Sequence, residues 1–380
     1  METHHDNRMM QQALRLARRA AGRTSPNPLV GAVVASGGAV VGRGYHARAG
    51  TDHAEVVALR EAGSHARGAT LYVNLEPCAH TGRTGPCTEA LIDAGIRRVV
   101  VAMRDPDPQV DGRGIARLRE AGIEVEIGLL EDQARRLNES YVKHRRTGMP
   151  FVTLKWAMSL DGKLGVDRRS ATEITGEAAR RYALSLRNTH DAVLVGVQTV
   201  LADDPLLTSR LSGGRNPLRV VLDSRLRTPA DARVVAGGAA GAAADAAEAP
   251  TLIATTAAAP PARVEAMRRA GVEVVVLDQT PQGVNLRALM VELGRRGVLS
   301  LLIEGGGTVN ASALAAGVVD KVIALVAPRL IGGAMAPTPV DGPGLAGVSG
   351  VVRLSEVRTR RLGADMLIEG KVEARCSQAW

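Results

Sequence analysis

Aromatic residues are nearly missing from this chain: one Phe, two Trp and four Tyr make up 2% of 380 residues. A groove for single-stranded nucleic acid normally offers aromatic platforms on which bases stack, and few are available here. Cysteine is rarer still, with three in all. Three thiols do not make a disulfide framework, and a close pair in so poor a chain points to metal binding or chemistry. No run of about 18 apolar residues occurs, so no membrane span is expected. The N-terminal METHHDNRMM is polar and has no apolar signal-peptide core, so a cytoplasmic location is expected. Lysine is also sparse. Only Lys143, Lys155, Lys163, Lys321 and Lys371 stand among 48 basic residues, so Arg carries the net charge of +9. Such a balance suits nucleic acid or phosphorylated small molecules.

What is present is a chain long enough for two domains of roughly 150 residues each, with 45% hydrophobic residues to fill their cores. Residues 6 to 21 read as an amphipathic helix, and 29–35 and 39–46 as a hairpin around a Gly turn. Helices over 53–63, 87–95 and 114–122 alternate with strands over 69–76, 97–103 and 123–128, the pattern of an α/β sheet. The pattern pauses at HRRTGMP near 144–150, which places a boundary between domains 1–147 and 148–380. A second α/β series follows, with strands at 151–159, 191–196, 218–223, 251–256, 272–278, 298–307 and 320–328. Residues 236–249, AGGAAGAAADAAEA, are low in complexity and read as a mobile surface loop.

Cys78 and Cys87 lie nine positions apart in LEPCAHTGRTGPC. A catalytic zinc takes three protein ligands and leaves a position for water. His53, in HAE, is the third candidate. All three lie at or just before predicted helix starts, where the positive helix end favours thiolate. Glu55 is two residues past His53 and suits the acid–base partner of a zinc deaminase, moving a proton to the leaving amine. The usual signature has two residues between the cysteines, and here there are eight. A structural zinc, with His80 as a fourth ligand, is the alternative.

The longer motifs decide between these. TSPNPLVGAVV, GYHARAGTDHAEVVAL, LEPCAHTGRTGPC and DPDPQVDGRGIARLREAGIEV resemble the N-terminal half of the bifunctional riboflavin-biosynthesis deaminase–reductase family. LKWAMSLDGKL, VGVQTVLADDPLLTSR and IEGGGTVNASALAAGVVDKVIALVAPRLIGG resemble its C-terminal half. The resemblance implies a cytidine-deaminase-like three-layer domain followed by a dihydrofolate-reductase-like domain. It implies one zinc per chain and NADPH as cofactors. The implied first step is hydrolytic deamination of 2,5-diamino-6-(5-phosphoribosylamino)pyrimidin-4-one. The second reduces the ribosyl group to a ribityl chain.

By the same resemblance Asn27 and His46 hold the pyrimidine, and His80 and Thr84 in the HTGRTG loop contact the ribose phosphate. In the reductase half, Thr172, Arg187, Leu207, Arg210 and Glu304 are the implied substrate contacts. Lys155, Met158, Ser159, Ile174, Val200, Asp204, Ser224, Gly305, Gly306, Gly307 and Thr308 are the implied cofactor contacts, with Asp204 also catalytic. Read alone, Asn27 between two prolines suits a turn, Asp203 and Asp204 suit a helix-terminating turn, and three glycines mark a tight turn or a phosphate-binding helix start. The expected partner is a phosphorylated small molecule, with no nucleic acid and no membrane, in a homo-oligomer, dimer or tetramer. The rival reading is a deaminase of bases in nucleic acid with an accessory basic domain. A zinc-stabilised binding module without activity is a second rival.

Overall fold

The computed structural model describes residues 2–79, 85–108, 110–167, 173–236, 249–342 and 351–373. The chain divides into two units, Met1–Gly148 and Met149–Trp380.

In the first unit, strands β1 (Gly31–Ser36), β2 (Ala39–Tyr45), β3 (Thr70–Val73), β4 (Arg98–Val101) and β5 (Glu124–Ile127) form one sheet in the order β2-β1-β3-β4-β5. β1 is antiparallel to both β2 and β3, whereas β3, β4 and β5 run parallel. The helix Ala54–Ala62 buries Ala54, Ala58 and Ala62, one small residue every four positions on one face. That face lies against Gly42 and Gly44 of β2. A Cβ at Gly44 would stand 2.0 Å from the Ala54 carbonyl oxygen, and one at Gly42 2.1 Å from that of Ala58. Alanine against glycine lets the two backbones approach, and this fixes where the helix begins and hence where His53 and Glu55 lie.

The first four residues of the predicted pause at HRRTGMP are helical. A helix over Glu139–Thr147 ends at Gly148, whose φ of 69 is the left-handed conformation of a helix stop. The unit boundary follows this helix directly.

The second unit holds a nine-stranded sheet. Its strands are β6 (Phe151–Ser159), β7 (Ala192–Gly196), β8 (Leu218–Leu222), β9 (Thr251–Thr255), β10 (Glu273–Val276), β13 (Ser300–Ile303), β14 (Lys321–Ala327), β15 (Leu354–Leu362) and β16 (Asp365–Val372). A small separate hairpin contains β11 (Gln279–Thr280) and β12 (Gly283–Val284). The order is β10-β9-β8-β7-β13-β6-β14-β16-β15. All pairs from β10 to β14 are parallel, and β16 and β15 add antiparallel edge strands that the sequence reading did not include.

Successive strand residues enter opposite cores. Val193, Val195, Val221 and Leu302 join one, while Ala192, Leu194, Val220, Leu301 and Ile303 join the other. Burial on both faces explains why these strands read as unbroken apolar runs. β13 lies between β6 and β7, so the sheet grows outward in both directions from it. The crevice at the carboxyl ends of such central strands is where α/β sheets bind ligands. Most of segment 236–249, and Cys376, lie outside the described residues.

Candidate active sites

His53 is the N-cap residue of the helix Ala54–Ala62, and Cys87 opens the helix Cys87–Asp93. Their side chains converge with Cys78. His53 Nδ1 is 3.1 Å from Cys87 Sγ and 3.5 Å from Cys78 Sγ, and the three ligand atoms lie within 4.8 Å of one another. The Cys87 backbone N–H donates to Cys78 Sγ at 3.5 Å. Hydrogen bonds from Cys87 and His53 hold the Cys78 thiol down at about 4 against the opposing effect of burial, while its neighbour Cys78 and burial push Cys87 up. One thiolate already stabilised beside an imidazole, in a partly buried pocket, is the donor set that zinc takes. His80, the alternative fourth ligand, lies outside the described residues, as do Thr84 and Thr172.

Glu55 is buried beside this group. Loss of hydration, with the negative Cys78 next to it, pushes its carboxyl up to about 7. A cavity of about 400 Å³ opens onto His53, Glu55 and Cys78, and Asn27, His46, Asp105 and Tyr141 line its walls. His46 Nδ1 faces the Asp52 carbonyl at 3.2 Å. With the proton on that nitrogen, Nε2 accepts from the Asn27 amide at 3.0 Å, which leaves the Asn27 oxygen to accept from a ligand.

In the second unit the crevice residues form a charged cluster. Arg187 donates through Nε and Nη2 to Glu304 Oε2 at 2.9 and 2.5 Å, and through Nη1 to the Thr208 carbonyl at 3.3 Å. Lys155 Nζ lies 3.5 Å from Glu304 Oε1. Burial alone would raise the Glu304 carboxyl, but Arg187 and then Lys155 outweigh it and hold it at about 2. Asp204, Leu207 and Arg210 all have positive φ, at 37, 57 and 50. Such strain in non-glycine residues is concentrated at functional sites. Asp204 is exposed, and its Oδ1 accepts the Arg233 backbone N–H at 2.7 Å.

The two halves of the chain match two family models. Residues 3–103 match the cytidine and deoxycytidylate deaminase zinc-binding region, and residues 150–368 match the RibD C-terminal domain. The riboflavin biosynthesis protein RibD of a Synechocystis strain is 44% identical over 369 residues, 96% of each chain. The chain belongs to the RibD family. That of Actinobacillus pleuropneumoniae is 40% identical over 97% of this chain and 96% of its own. Among solved structures, Acinetobacter baumannii RibD superposes with a TM-score of 0.86 at 36% identity, covering 98% of this chain and all of that one. RibD is a bifunctional deaminase and reductase of riboflavin biosynthesis, with a cytidine-deaminase-like domain followed by a dihydrofolate-reductase-like one. Its reductase domain is related to NADPH-dependent reductases.

Not every implied contact of the RibD reductase half faces the crevice with a free side chain. Val200 and Leu207 belong to the apolar core that also holds Val195 and Val221, and Ile174 is buried. The buried Ser159 hydroxyl donates to Asp161 at 2.5 Å, and Asp161 also accepts the Ile331 and Gly332 backbone N–H groups. The Ser224 carbonyl accepts the Thr256 hydroxyl. Met158 pairs with Val326 of β14 near the end of β6.

The three glycines after β13 differ in what they do. A Cβ on Gly305 would strike Val309 at 2.6 Å, and one on Gly307 would strike Asp341 at 2.4 Å. Around Gly306 nothing lies within 4 Å. Gly306 caps the helix Gly307–Ala315, on which Thr308 is exposed.

Buried polar side chains that hold the RibD deaminase loops escaped the sequence reading. Asn138 Oδ1 accepts the Leu29 N–H at 2.8 Å and its amide donates back to the Leu29 carbonyl, which the Asn74 amide also reaches. The loop carrying Asn27 is therefore anchored two residues away. Each partner is distant in sequence, so no local motif could reveal the pairing.

Proposed function

We propose that this chain removes the 2-amino group of 2,5-diamino-6-(5-phosphoribosylamino)pyrimidin-4-one and then reduces the ribosyl group with NADPH. The observation that carries the reading is the three-ligand His53, Cys78 and Cys87 group with buried Glu55 beside it, ahead of a RibD reductase domain. The Thermotoga maritima structure titled diaminohydroxyphosphoribosylaminopyrimidine deaminase / 5-amino-6-(5-phosphoribosylamino)uracil reductase supports it, at 33% identity over 98% of this chain with a TM-score of 0.83.

His53, Cys78 and Cys87 would hold a zinc ion, which would supply an activated water. Glu55 would accept a proton and return it to the departing amine. Asn27 and His46 orient the pyrimidine at the cavity wall. In the second unit, Lys155, Met158, Ser159, Ile174, Val200, Asp204, Ser224 and Gly305–Thr308 form the cofactor site, some of them through backbone or packing and not through a free side chain. Arg187 and Arg210 hold the sugar phosphate, Glu304 and Leu207 are further substrate contacts, and Asp204 is the catalytic polar group of the reduction. His80, Thr84 and Thr172 complete the substrate contacts. A cytoplasmic homo-oligomer completes the reading; among the described residues no helix is long and apolar enough to cross a membrane.

Incubation with the diaminopyrimidine phosphate, with and without NADPH, followed by mass spectrometry, tests the whole reading. Deaminated intermediate should form without NADPH and ribityl product with it, and an unconverted substrate would refute it. Gly306→Val isolates the cofactor site. The new side chain meets no protein atom within 4 Å at its Cβ, so it should disturb a ligand and not the fold. The apparent Kd for NADPH should rise about tenfold or more, roughly 1.4 kcal/mol, with deamination unchanged. An unchanged Kd would place the cofactor elsewhere.

A further inference from the structure

Glu76 stands two residues before Cys78, is 3% exposed, and makes no contact that the chemistry above uses. Its carboxylate accepts four backbone N–H groups. Oε2 takes those of Asp105 and Gly112, at 3.2 and 3.1 Å. Oε1 takes those of Gly114 and Ile115, at 3.0 and 3.2 Å. The second pair belongs to the first turn of the helix Arg113–Glu120, whose own N-cap, Gly112, has no side chain to offer. A carboxylate at this position also meets the positive end of the helix. Oε2 does something different. It binds Asp105, four residues past the end of β4, and Gly112, the last residue before that helix, so one oxygen ties two points of the loop together. This loop gives Asp105, Asp107 and Val110 to the cavity wall that faces His53 and Cys78. Gly114 then packs so closely on the zinc-ligand segment that a Cβ there would stand 1.9 Å from the Pro77 carbonyl oxygen.

We infer that Glu76 is a positioning residue for deamination: it sets the wall carrying Asp105 and Asp107 at a fixed distance from the segment that bears Cys78. The metal ligand and the wall lie in the loops that follow β3 and β4, which one backbone bond, Glu76 N–H to the Met103 carbonyl at 3.0 Å, joins beside the carboxylate. With Glu76 in place both hang on one rigid carboxylate plane. The Tyr141 hydroxyl, donating to Asp105 at 3.1 Å, steadies the same wall from the opposite side. This inference rests on the deaminase reading of the first unit.

Glu76→Gln in the full-length, zinc-loaded chain is the test. The amide keeps the shape but turns one oxygen into a donor, so one of the two N–H pairs loses its acceptor. Zinc should stay at one per chain, and reduction of the deaminated intermediate should be unchanged. The KM for deamination should rise about 10- to 100-fold, the range found when groups behind a site's ligands are removed, with a smaller change in kcat. Glu76→Asp keeps the charge one methylene short. It should recover part of the loss and serves as the second variant if Gln prevents folding. A lower melting temperature with unchanged KM in both variants would make Glu76 only a stabilising group and overturn the inference. Loss of zinc would also overturn it, since Glu76 would then act on the metal ligand and not on the wall. The wild-type chain in the same assay tests the deaminase reading itself, so the two failures are distinct.

Discussion

Replacing Cys87 by Ser is expected to strip both zinc and deamination from the chain while reduction of the intermediate continues at its full rate. Cys87 is fully buried, and its Sγ lies 3.1 Å from His53 Nδ1. Zinc binds a thiolate at about 2.3 Å, and a serine hydroxyl, which does not ionise near neutral pH, replaces neither its charge nor its softness. Two remaining ligands hold zinc weakly. The substitution is small and isosteric, and the reductase machinery lies in the other unit, so reduction serves as the internal control. Metal analysis and the two separate assays check the result. Full zinc occupancy in the variant would remove Cys87 from the ligand set.

Glu55→Gln should have the complementary signature, with zinc retained and deamination about 10²–10⁴-fold slower, the usual worth of general acid–base help. The side chain is buried at the second position of its helix, where Gln fits the same space. Burial and the Cys78 charge raise the carboxyl to about 7, and a bound zinc acts in the opposite sense through its positive charge. The group is thus poised to accept and return a proton near neutrality, which an amide cannot do. Steady-state rates with metal analysis on the same sample decide the matter. Near wild-type turnover in a zinc-loaded Glu55→Gln chain would show that another group carries the proton.

Much of this was legible because it is local. The alternation that marked helices at 53–63 and 87–95 corresponds to helices Ala54–Ala62 and Cys87–Asp93. Strand β6 occupies the predicted 151–159. His53, Glu55 and Cys87 were readable from residue type and helix-start placement, whereas Cys78, also expected at a helix start, lies in irregular chain after β3. The edge strands β15 and β16 were not. β15 is largely exposed and carries Glu356, Arg358, Arg360 and Arg361, so it shows no clean apolar alternation. The helix Glu139–Thr147 has a single buried residue, Tyr141, and its Arg-rich end reads as a turn. Polar anchors such as Glu76, Asn74 and Asn138 acquire meaning only through backbone groups 29 to 109 residues away. Arg187 shows the opposite limit: the resemblance makes it a substrate contact, while here three of its donors meet Glu304 and the Thr208 carbonyl.

The Glu304 carboxyl, held at about 2 between Arg187 and Lys155, also bears on how the reductase half responds to acid stress. Its folded value is depressed, so its ion pairs stabilise fully above the ordinary carboxylate value of 4.5 and fade only as the pH falls toward 2. Acidification to about pH 5 therefore leaves this charge pattern intact. Glu304 carries no proton to donate in that range, and the proton that accompanies hydride transfer has to come from another group or from solvent. A mild-acid limb in the reductase rate would have its origin outside Glu304, for example in the substrate's own phosphate, whose second ionisation falls near about 6.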